Sequence, residues 1–219
     1  MNFRVITIDG PAGAGKTTVS KRLAAALGCV YVDTGALYRG VAYEVDRRKI
    51  DWKDETAMAA FLSDLDLSFL MEGEDLVLTS SGKDITPFIR TPEITMLASA
   101  TSALPAVRQA LLGIQKNIAA TRDAVFEGRD MGTAVFPDAR FKFFLFADLS
   151  VRAQRRYDEM DASRKELKNV QAEMEKRDEN DSSRKTNPLK PAPDAISIDS
   201  TYLTIDQVVA KILSEIKAS

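Results

Sequence analysis

The stretch Val5-Ile6-Thr7-Ile8-Asp9-Gly10-Pro11-Ala12-Gly13-Ala14-Gly15-Lys16-Thr17 decides the fold. Val5 to Ile8 is a short β-type run that stops at Asp9, and Gly10 to Thr17 then satisfies G-x-x-x-x-G-K-[ST]. Thr17 to Leu27 carries Val19, Leu23 and Leu27 on one helical face, and Gly28 closes that helix. A loop with few Cβ atoms wraps a phosphate closely, so that successive backbone N–H groups point inward. The helix behind it adds the partial positive charge of its N-terminus. Lys16 is placed for the β- and γ-phosphates, and a Thr hydroxyl for Mg²⁺. A chance match in a chain of this length has a probability of roughly 1%, and this one also sits between a strand and a helix. The segment from Gly10 to Thr18 reads as a P-loop for Mg·ATP.

Outward from this segment, further short runs suit buried strands: Val30-Tyr31-Val32, Ala124-Val125-Phe126, Phe143-Phe144-Leu145-Phe146 and Ala195-Ile196-Ser197-Ile198. Helical patterns separate most of them, as a parallel α/β sheet requires. The last helix is expected from Thr204, with Gln207 completing a capping box. Two stretches break the alternation. Residues 62–90 change to short alternating runs: Leu65, Leu67 and Phe69, a turn at Glu72-Gly73-Glu74-Asp75, then Leu76-Val77-Leu78 and Ser80-Ser81-Gly82. They predict a small antiparallel meander inserted into the core. Residues 150–184 are dominated by charge and lead into a connector with Pro188, Pro191 and Pro193, which fits a mobile helical lid or a solvated hairpin. The expected organisation is one P-loop domain, 1–219. Its core is 1–61, 91–149 and 185–219, with 62–90 a β insert and 150–184 a lid and charged helix.

Composition narrows the chemistry. The 219 residues carry a net charge of −2, so the surface as a whole advertises neither nucleic acid nor an anionic membrane. There is no histidine, which removes His general bases, Ser-His-Asp triads and His metal sites. One cysteine, Cys29, allows neither an intrachain disulfide nor a multi-Cys zinc site. No apolar run approaches transmembrane length, and the start reads as a strand rather than a signal peptide. The expected address is cytoplasmic.

A P-loop alone does not choose among kinases, GTPases and transporter ATPases. The chain has no Asn-Lys-x-Asp segment for guanine and no Leu-Ser-Gly-Gly-Gln segment. An acceptor site is suggested by Asp33-Thr34-Gly35-Ala36-Leu37-Tyr38-Arg39, where a strand ends and a helix opens, with Thr34 and Arg39 suited to a second anion. A second strand end, Glu127-Gly128-Arg129-Asp130-Met131-Gly132-Thr133, faces the same mouth, because ligands of open α/β sheets bind at the carboxyl ends of strands. In the charged segment, Leu167, Val170, Met174, Arg177, Asp181 and Arg184 share one helical face that begins apolar and turns ionic. An i,i+4 ion pair between Arg177 and Asp181 explains the same spacing equally simply. Arg152, Arg155 and Arg156 also share a face, suited to covering ATP phosphates or to solvent.

These segments together resemble the bacterial cytidylate (CMP) kinase family. The resemblance runs over nearly the whole chain and rests on Gly10–Thr18, Asp33–Arg39, the run from Glu127 to Ala139, and the Arg177-Asp178…Asp181…Arg184 pattern. It implies a nucleoside-monophosphate-kinase fold: a five-stranded parallel sheet, an antiparallel β acceptor insert and a helical lid. Carried over by position, it implies that Thr34, Arg39, Arg129 and Arg184 hold the CMP phosphate, and that Tyr38 belongs to the same site. It implies that Ser99, Arg108 and Asp130 read the base, that Arg177 and Asp181 hold the ribose, and that the protein is a monomer. Thr34 stands where related sequences often have Ser, which keeps the hydroxyl. Thr17 stands where some have Gly, which leaves open whether Thr17 or Thr18 meets Mg²⁺.

The residues add their own argument for cytosine. An ionised Asp130 accepts a hydrogen bond from the N4 amino group and repels the O4 carbonyl of uracil. Arg108 is suited to donate to O2 or N3. Pro105 is expected to start a helix with Val107, Leu111, Ile114 and Ile118 buried and Arg108 off that stripe. The expected reaction is in-line transfer of the γ-phosphoryl of Mg·ATP to CMP, and to dCMP, with Lys16, Arg39, Arg129 and Arg184 neutralising charge. Two rivals stay open: a P-loop kinase for a deoxynucleoside or shikimate, and a regulatory P-loop ATPase switch.

Overall fold

The computed structural model describes residues 4–72, 75–159 and 166–218. In chain order it contains β1 (Val5–Asp9), α1 (Lys16–Leu27), β2 (Val30–Asp33), α2 (Thr34–Arg47), α3 (Glu55–Ser63), β3 (Leu67–Glu72), β4 (Asp75–Ser80) and β5 (Lys83–Asp84). Then come α4 (Pro92–Thr101), α5 (Pro105–Thr121), β6 (Ala124–Gly128), β7 (Phe141–Phe146), α6 (Leu149–Asp158), α7 (Leu167–Ser182), β8 (Ile196–Asp199) and α8 (Ile205–Ala218). A single π-type turn, Met131–Val135, follows β6. The expected α/β architecture is present: a five-stranded parallel sheet plus a small antiparallel one. Among the described residues no helix is long and apolar enough to cross a membrane.

The parallel sheet runs β2-β6-β1-β7-β8, so the chain winds to one side of β1 and then crosses to the other. That reversal opens a crevice at the carboxyl ends of β1 and its neighbours, where an α/β sheet binds its ligands. One face is sealed by α1 and α8, with Val19, Leu23, Val208 and Ile212 packed on Ile6, Ile8, Phe143 and Ile198. The other face buries Val32, Phe126, Met131 and Phe136 against α5. Every one of these core side chains is at most 6% exposed, so the rims of the crevice rest on rigid packing.

The second sheet pairs β3 with β4 antiparallel, from Leu67↔Ser80 to Glu72↔Asp75, and adds β5 at the β4 edge. Leu67, Leu78, Ile85 and Ile89 turn inward onto α2, α4 and α5, which gives this sheet a core shared with those helices. The predicted meander thus exists, but region 62–90 opens with the end of α3 rather than with a strand. Gly73 and Glu74 of the predicted turn lie outside the described residues, as do residues 160–165 of the predicted lid.

Helix starts follow the local chemistry. The Asp33 carboxylate accepts from the Ala36 N–H at 3.1 Å and caps α2; Thr91 caps Ile94 at 3.2 Å, with Pro92 opening α4. Thr204 and Gln207 bond reciprocally at 2.8 and 3.2 Å, the expected capping box. Two readings need correction. On α5 the buried residues are Val107, Arg108, Leu111 and Gln115, so Arg108 belongs to the buried face while Ile114 and Ile118 are half-buried. On α7 the stripe does not begin packed, because Leu167 is 36% exposed and burial starts at Val170. In both helices the neighbouring elements, absent from a periodicity argument, decide which edge of the stripe is covered.

Candidate active site

The crevice is a single cleft of about 710 Å³. From the P-loop it is lined by Ala12, Gly13, Gly15, Lys16, Thr17 and Thr18; Gly10, Pro11 and Ala14 lie behind them. Gly10 has φ +146°, and a Cβ there would fall 1.9 Å from the Leu145 carbonyl oxygen, which is why the loop leaves β1 through a glycine. Thr34, Tyr38 and Arg39 reach the cleft from α2, Ser99 from α4, Arg108 from α5, Arg129 and Asp130 from the end of β6. Arg177 and Asp181 reach it from α7, and Arg184 from just beyond that helix. All ten residues expected at an acceptor therefore share one mouth with Lys16.

Of the three arginines on α6, Arg152 is placed differently from the expectation. Arg152 is 7% exposed and does not line the cleft. Its guanidinium donates to the Ala147 carbonyl at 2.8 Å, the Ala12 carbonyl at 3.0 Å and Asp178 at 2.6 Å. It ties the P-loop to the lid from behind, because desolvated Arg donors must find acceptors. Arg155 and Arg156 do line the cleft, Arg155 donating to the Ser200 carbonyl at 2.7 Å and Arg156 pairing with Glu159 at 3.3 Å.

At the donor end Lys16 donates to the Pro11 carbonyl at 2.7 Å. Burial, with repulsion from Arg129, pushes its pKa down to about 7. The Thr17 hydroxyl donates to Glu127 Oε1 at 3.0 Å, and the Tyr31 hydroxyl donates to Glu127 Oε2 at 2.7 Å. Burial and the Glu127 charge push the Tyr31 phenol far up, so it stays a donor that orients the carboxylate. A hydroxyl beside one fixed carboxylate suits Mg²⁺, which binds through one or two carboxylates plus substrate phosphates. Of the two threonines, Thr17 is the one next to that carboxylate. Asp9 accepts from the Met131 N–H at 2.9 Å and the Gly132 N–H at 2.8 Å, and burial pushes its pKa up to about 6. It clamps the Arg129-Asp130 loop to the strand that carries the P-loop.

Lys16 makes the ligand-free stability depend on pH. Its folded pKa lies below the unfolded value of 10.5, so the unfolded state holds more protons between about 7 and 10.5. The cost is complete below that window and fades as pH rises through it; Asp9 titrates lower and does not interfere. Lys16→Met is expected to melt above the unaltered chain at pH 7, with the gap closing towards pH 10. Parallel melting curves that never converge would contradict this.

At the acceptor end the Thr34 hydroxyl donates to the Glu127 carbonyl at 2.6 Å, fixing it beside Gly128. Arg39 and Arg90 share Asp33 Oδ2 at 2.7 and 3.1 Å. Asp181 accepts from Arg129 Nε at 3.1 Å and from Arg184. Burial alone would raise the Asp181 pKa, but Arg129, Arg184 and Arg177 outweigh it and hold the carboxyl below its usual range. The simple Arg177–Asp181 pair is thus replaced by two other partners for Asp181. Arg108 pairs with Asp130, donates to the Ser102 carbonyl at 2.9 Å and stacks over Tyr38 at 5.2 Å. The Ser99 hydroxyl is buried without a hydrogen-bond partner.

Sequence reasoning missed Asp9, Tyr31, Arg90 and Asp178 as site-building residues and passed over Glu127 within a motif it singled out. Strand pairing brings Asp9, Tyr31 and Glu127 together, because β6 lies between β1 and β2, whereas Arg90, just before α4, and Asp178, on α7, are placed by their ion pairs with Asp33 and Arg152. For Glu127 a signal existed, a carboxylate at the end of an apolar strand.

A family described as cytidylate kinase matches residues 6–218. The chain is 42% identical over 215 residues to a cytidylate kinase of Lactobacillus gasseri, covering 97% of this chain and 94% of that one. It is 45% identical over 214 residues to a cytidylate kinase of Caldanaerobacter subterraneus (97% and 94% covered) and 45% identical over 220 residues to one of Azotobacter vinelandii (98% and 95%). Among solved structures it is similar to a shikimate kinase from Acinetobacter baumannii in complex with shikimate, at 19% identity, 99% and 94% coverage and a TM-score of 0.47. That likeness is too distant to bear on the substrate.

Proposed function

This chain belongs to the cytidylate kinase family, and from that premise we propose how its cleft moves a phosphoryl group from ATP to CMP. It is a kinase that phosphorylates CMP with ATP as donor. The observation that carries the residue-level reading is that Lys16 and the cluster Arg39, Arg129, Arg177 and Arg184 line the same cleft. One cradle takes the donor phosphates and the arginines take the acceptor, so both phosphates approach in line and the γ-phosphoryl passes directly between them. The acceptor phosphate is already an anion near neutral pH, so no base is required. Catalysis is then positioning plus neutralisation of charge spread over the transferred group.

In this reading Thr17 and Glu127 would hold Mg²⁺, which would supply charge neutralisation to the donor phosphates. Tyr31 keeps the Glu127 carboxylate turned towards Thr17. Thr34 and Arg39 receive the CMP phosphate at the start of α2. Ser99, Arg108 and Asp130 face the base, and dCMP is accepted alongside CMP. Residues 62–90 act as the acceptor insert, and 150–184 as a lid that excludes water, so that ATP is spent on CMP alone. The setting is cytoplasmic.

Asp130 sets the choice between cytosine and uracil. Arg108 fixes its carboxylate, which accepts from N4 but not from O4. Asp130→Asn is expected to cut the CMP-over-UMP ratio of kcat/KM by about 1–3 kcal/mol, roughly 5- to 150-fold. An unchanged ratio removes Asp130 from base reading. The function itself is tested by coupled initial rates with Mg·ATP against CMP, dCMP, UMP, AMP and shikimate. CMP and dCMP should turn over fastest. Preference for shikimate, or slow ATP hydrolysis indifferent to all five, would overturn the reading.

A further inference from the structure

Three of the acceptor arginines rest on acids in the ligand-free protein, and the two acids differ in what stays with them. Asp181 accepts from Arg129 and Arg184, both members of the cluster that takes the acceptor phosphate. Asp33 accepts from Arg39, another member, at 2.7 Å and from Arg90 at 3.1 Å, both at Oδ2. Arg90 has no part in the transfer as proposed above, yet it lines the same cleft. Its side chain is 60% exposed, against 16% for Arg39.

The local chain fixes where Arg90 sits. Ile89 is fully buried in the core shared with α2, α4 and α5, and the Thr91 hydroxyl caps α4 at the Ile94 N–H. Arg90 therefore leaves an anchored backbone although its side chain is mostly in solvent. Asp33 is equally fixed, because its Oδ1 accepts from the Ala36 N–H at 3.1 Å and caps α2. The Arg39 guanidinium lies over the same helix start: a Cβ on Gly35 would fall 3.1 Å from Arg39 Nη1 and 3.1 Å from Asp33 Oδ1. Asp33, Arg39 and, in the kinase reading, the CMP phosphate thus converge on the first turn of α2. Two anions compete there for one guanidinium. A phosphate monoester carries a charge near −2 at neutral pH, and it gains Arg39 only by drawing that side chain from Asp33. A carboxylate left unpaired beside it would repel it.

We infer that Arg90 is a positioning residue of the acceptor site: it keeps Asp33 neutralised while Arg39 turns to the CMP phosphate. The inference rests on the kinase reading above. Arg90 acts through Asp33 and does not touch the transferred group. It therefore favours the bound acceptor equally in the ground state and the transition state, and its loss shows in KM rather than in kcat.

The test is a double-mutant cycle on Arg90→Ala and Asp33→Asn, with kcat and KM for CMP at saturating Mg·ATP, calorimetric affinity for CMP and a melting curve for each variant. Asn caps a helix as well as Asp does, so Asp33→Asn removes the charge and leaves α2 capped. Asp33→Ser, also a cap, takes its place if that variant does not fold. Arg90→Ala is expected to raise KM for CMP and weaken CMP binding about 5-fold, the upper reach of a partly exposed ion pair, with kcat and melting temperature unchanged. Arg90→Lys should recover most of that loss, because Asp33 needs a charge rather than a planar fork. In the Asp33→Asn background, Arg90→Ala should change neither KM nor affinity. Equal losses in both backgrounds would put Arg90 on the phosphate itself and overturn the action through Asp33. Unchanged CMP binding in Arg90→Ala, with or without a lower melting temperature, would overturn it as well. Failure of the unaltered chain to phosphorylate CMP would instead strike the kinase reading, so the two failures are distinguishable.

Discussion

Lys16→Ala is expected to remain folded and to lose at least about 10³ of its turnover with CMP, the range seen when a phosphoryl-transfer enzyme loses a transition-state cation. Lys16 is 4% exposed, and its ammonium donates to the Pro11 carbonyl at 2.7 Å. Burial and Arg129 hold its pKa down to about 7, so the fold bears a cost for keeping this charge inside. Deleting it removes that cost together with the chemistry. Such a burial cost is what a lysine kept for binding phosphates would carry. Coupled-assay kcat and a melting curve check both halves. Wild-type turnover would remove Lys16 from the transfer, and a collapsed melting curve would make it structural.

Arg129→Ala is expected to be as damaging, with kcat/KM for CMP down by about 10³ or more. Arg129 is the arginine that bears on both ends of the cleft: it bonds Asp181 at 3.1 Å and is the largest charge acting on Lys16 and on Arg177. Its loss leaves Asp181 with Arg184, so the acid is not stranded. It also relieves the repulsion on Lys16, which should regain part of its depressed pKa. The melting temperature should consequently change little while activity disappears. A variant that keeps its turnover would break the link between the two halves of the cleft.

The sequence announces its fold through patterns that local physics enforces. Gly10 and Gly13 are needed because a Cβ would strike Leu145 or Met174, so the donor cradle is readable from residue types alone. The β insert is readable because Leu65, Leu67 and Phe69 alternate with Asp66 and Ser68, and the start of α8 because Thr204 and Gln207 must satisfy orphan N–H groups. What stays hidden depends on pairings remote in sequence. Glu127 meets Thr17 across 110 positions, and Arg152 finds Ala12 across 140. The helical spacing of Arg152, Arg155 and Arg156 says that they share a face, but not that one of them is turned inward to brace the loop. For Arg108 the periodicity of α5 pointed the wrong way, since Asp130 and Tyr38 turn an apparent flank into an interior.

The proposed transfer requires donor and acceptor phosphates to lie end to end in one cleft. The most direct measurement is calorimetric binding of a bisubstrate molecule, adenosine and cytidine joined through five phosphates, against ATP and CMP separately. It is expected to bind about 10²- to 10⁴-fold tighter than either nucleotide, as linked ligands do when both sites are engaged together, and to be displaced by ATP and by CMP. Binding no tighter than ATP alone, or displacement by only one of the two, would mean that the pockets do not share a mouth.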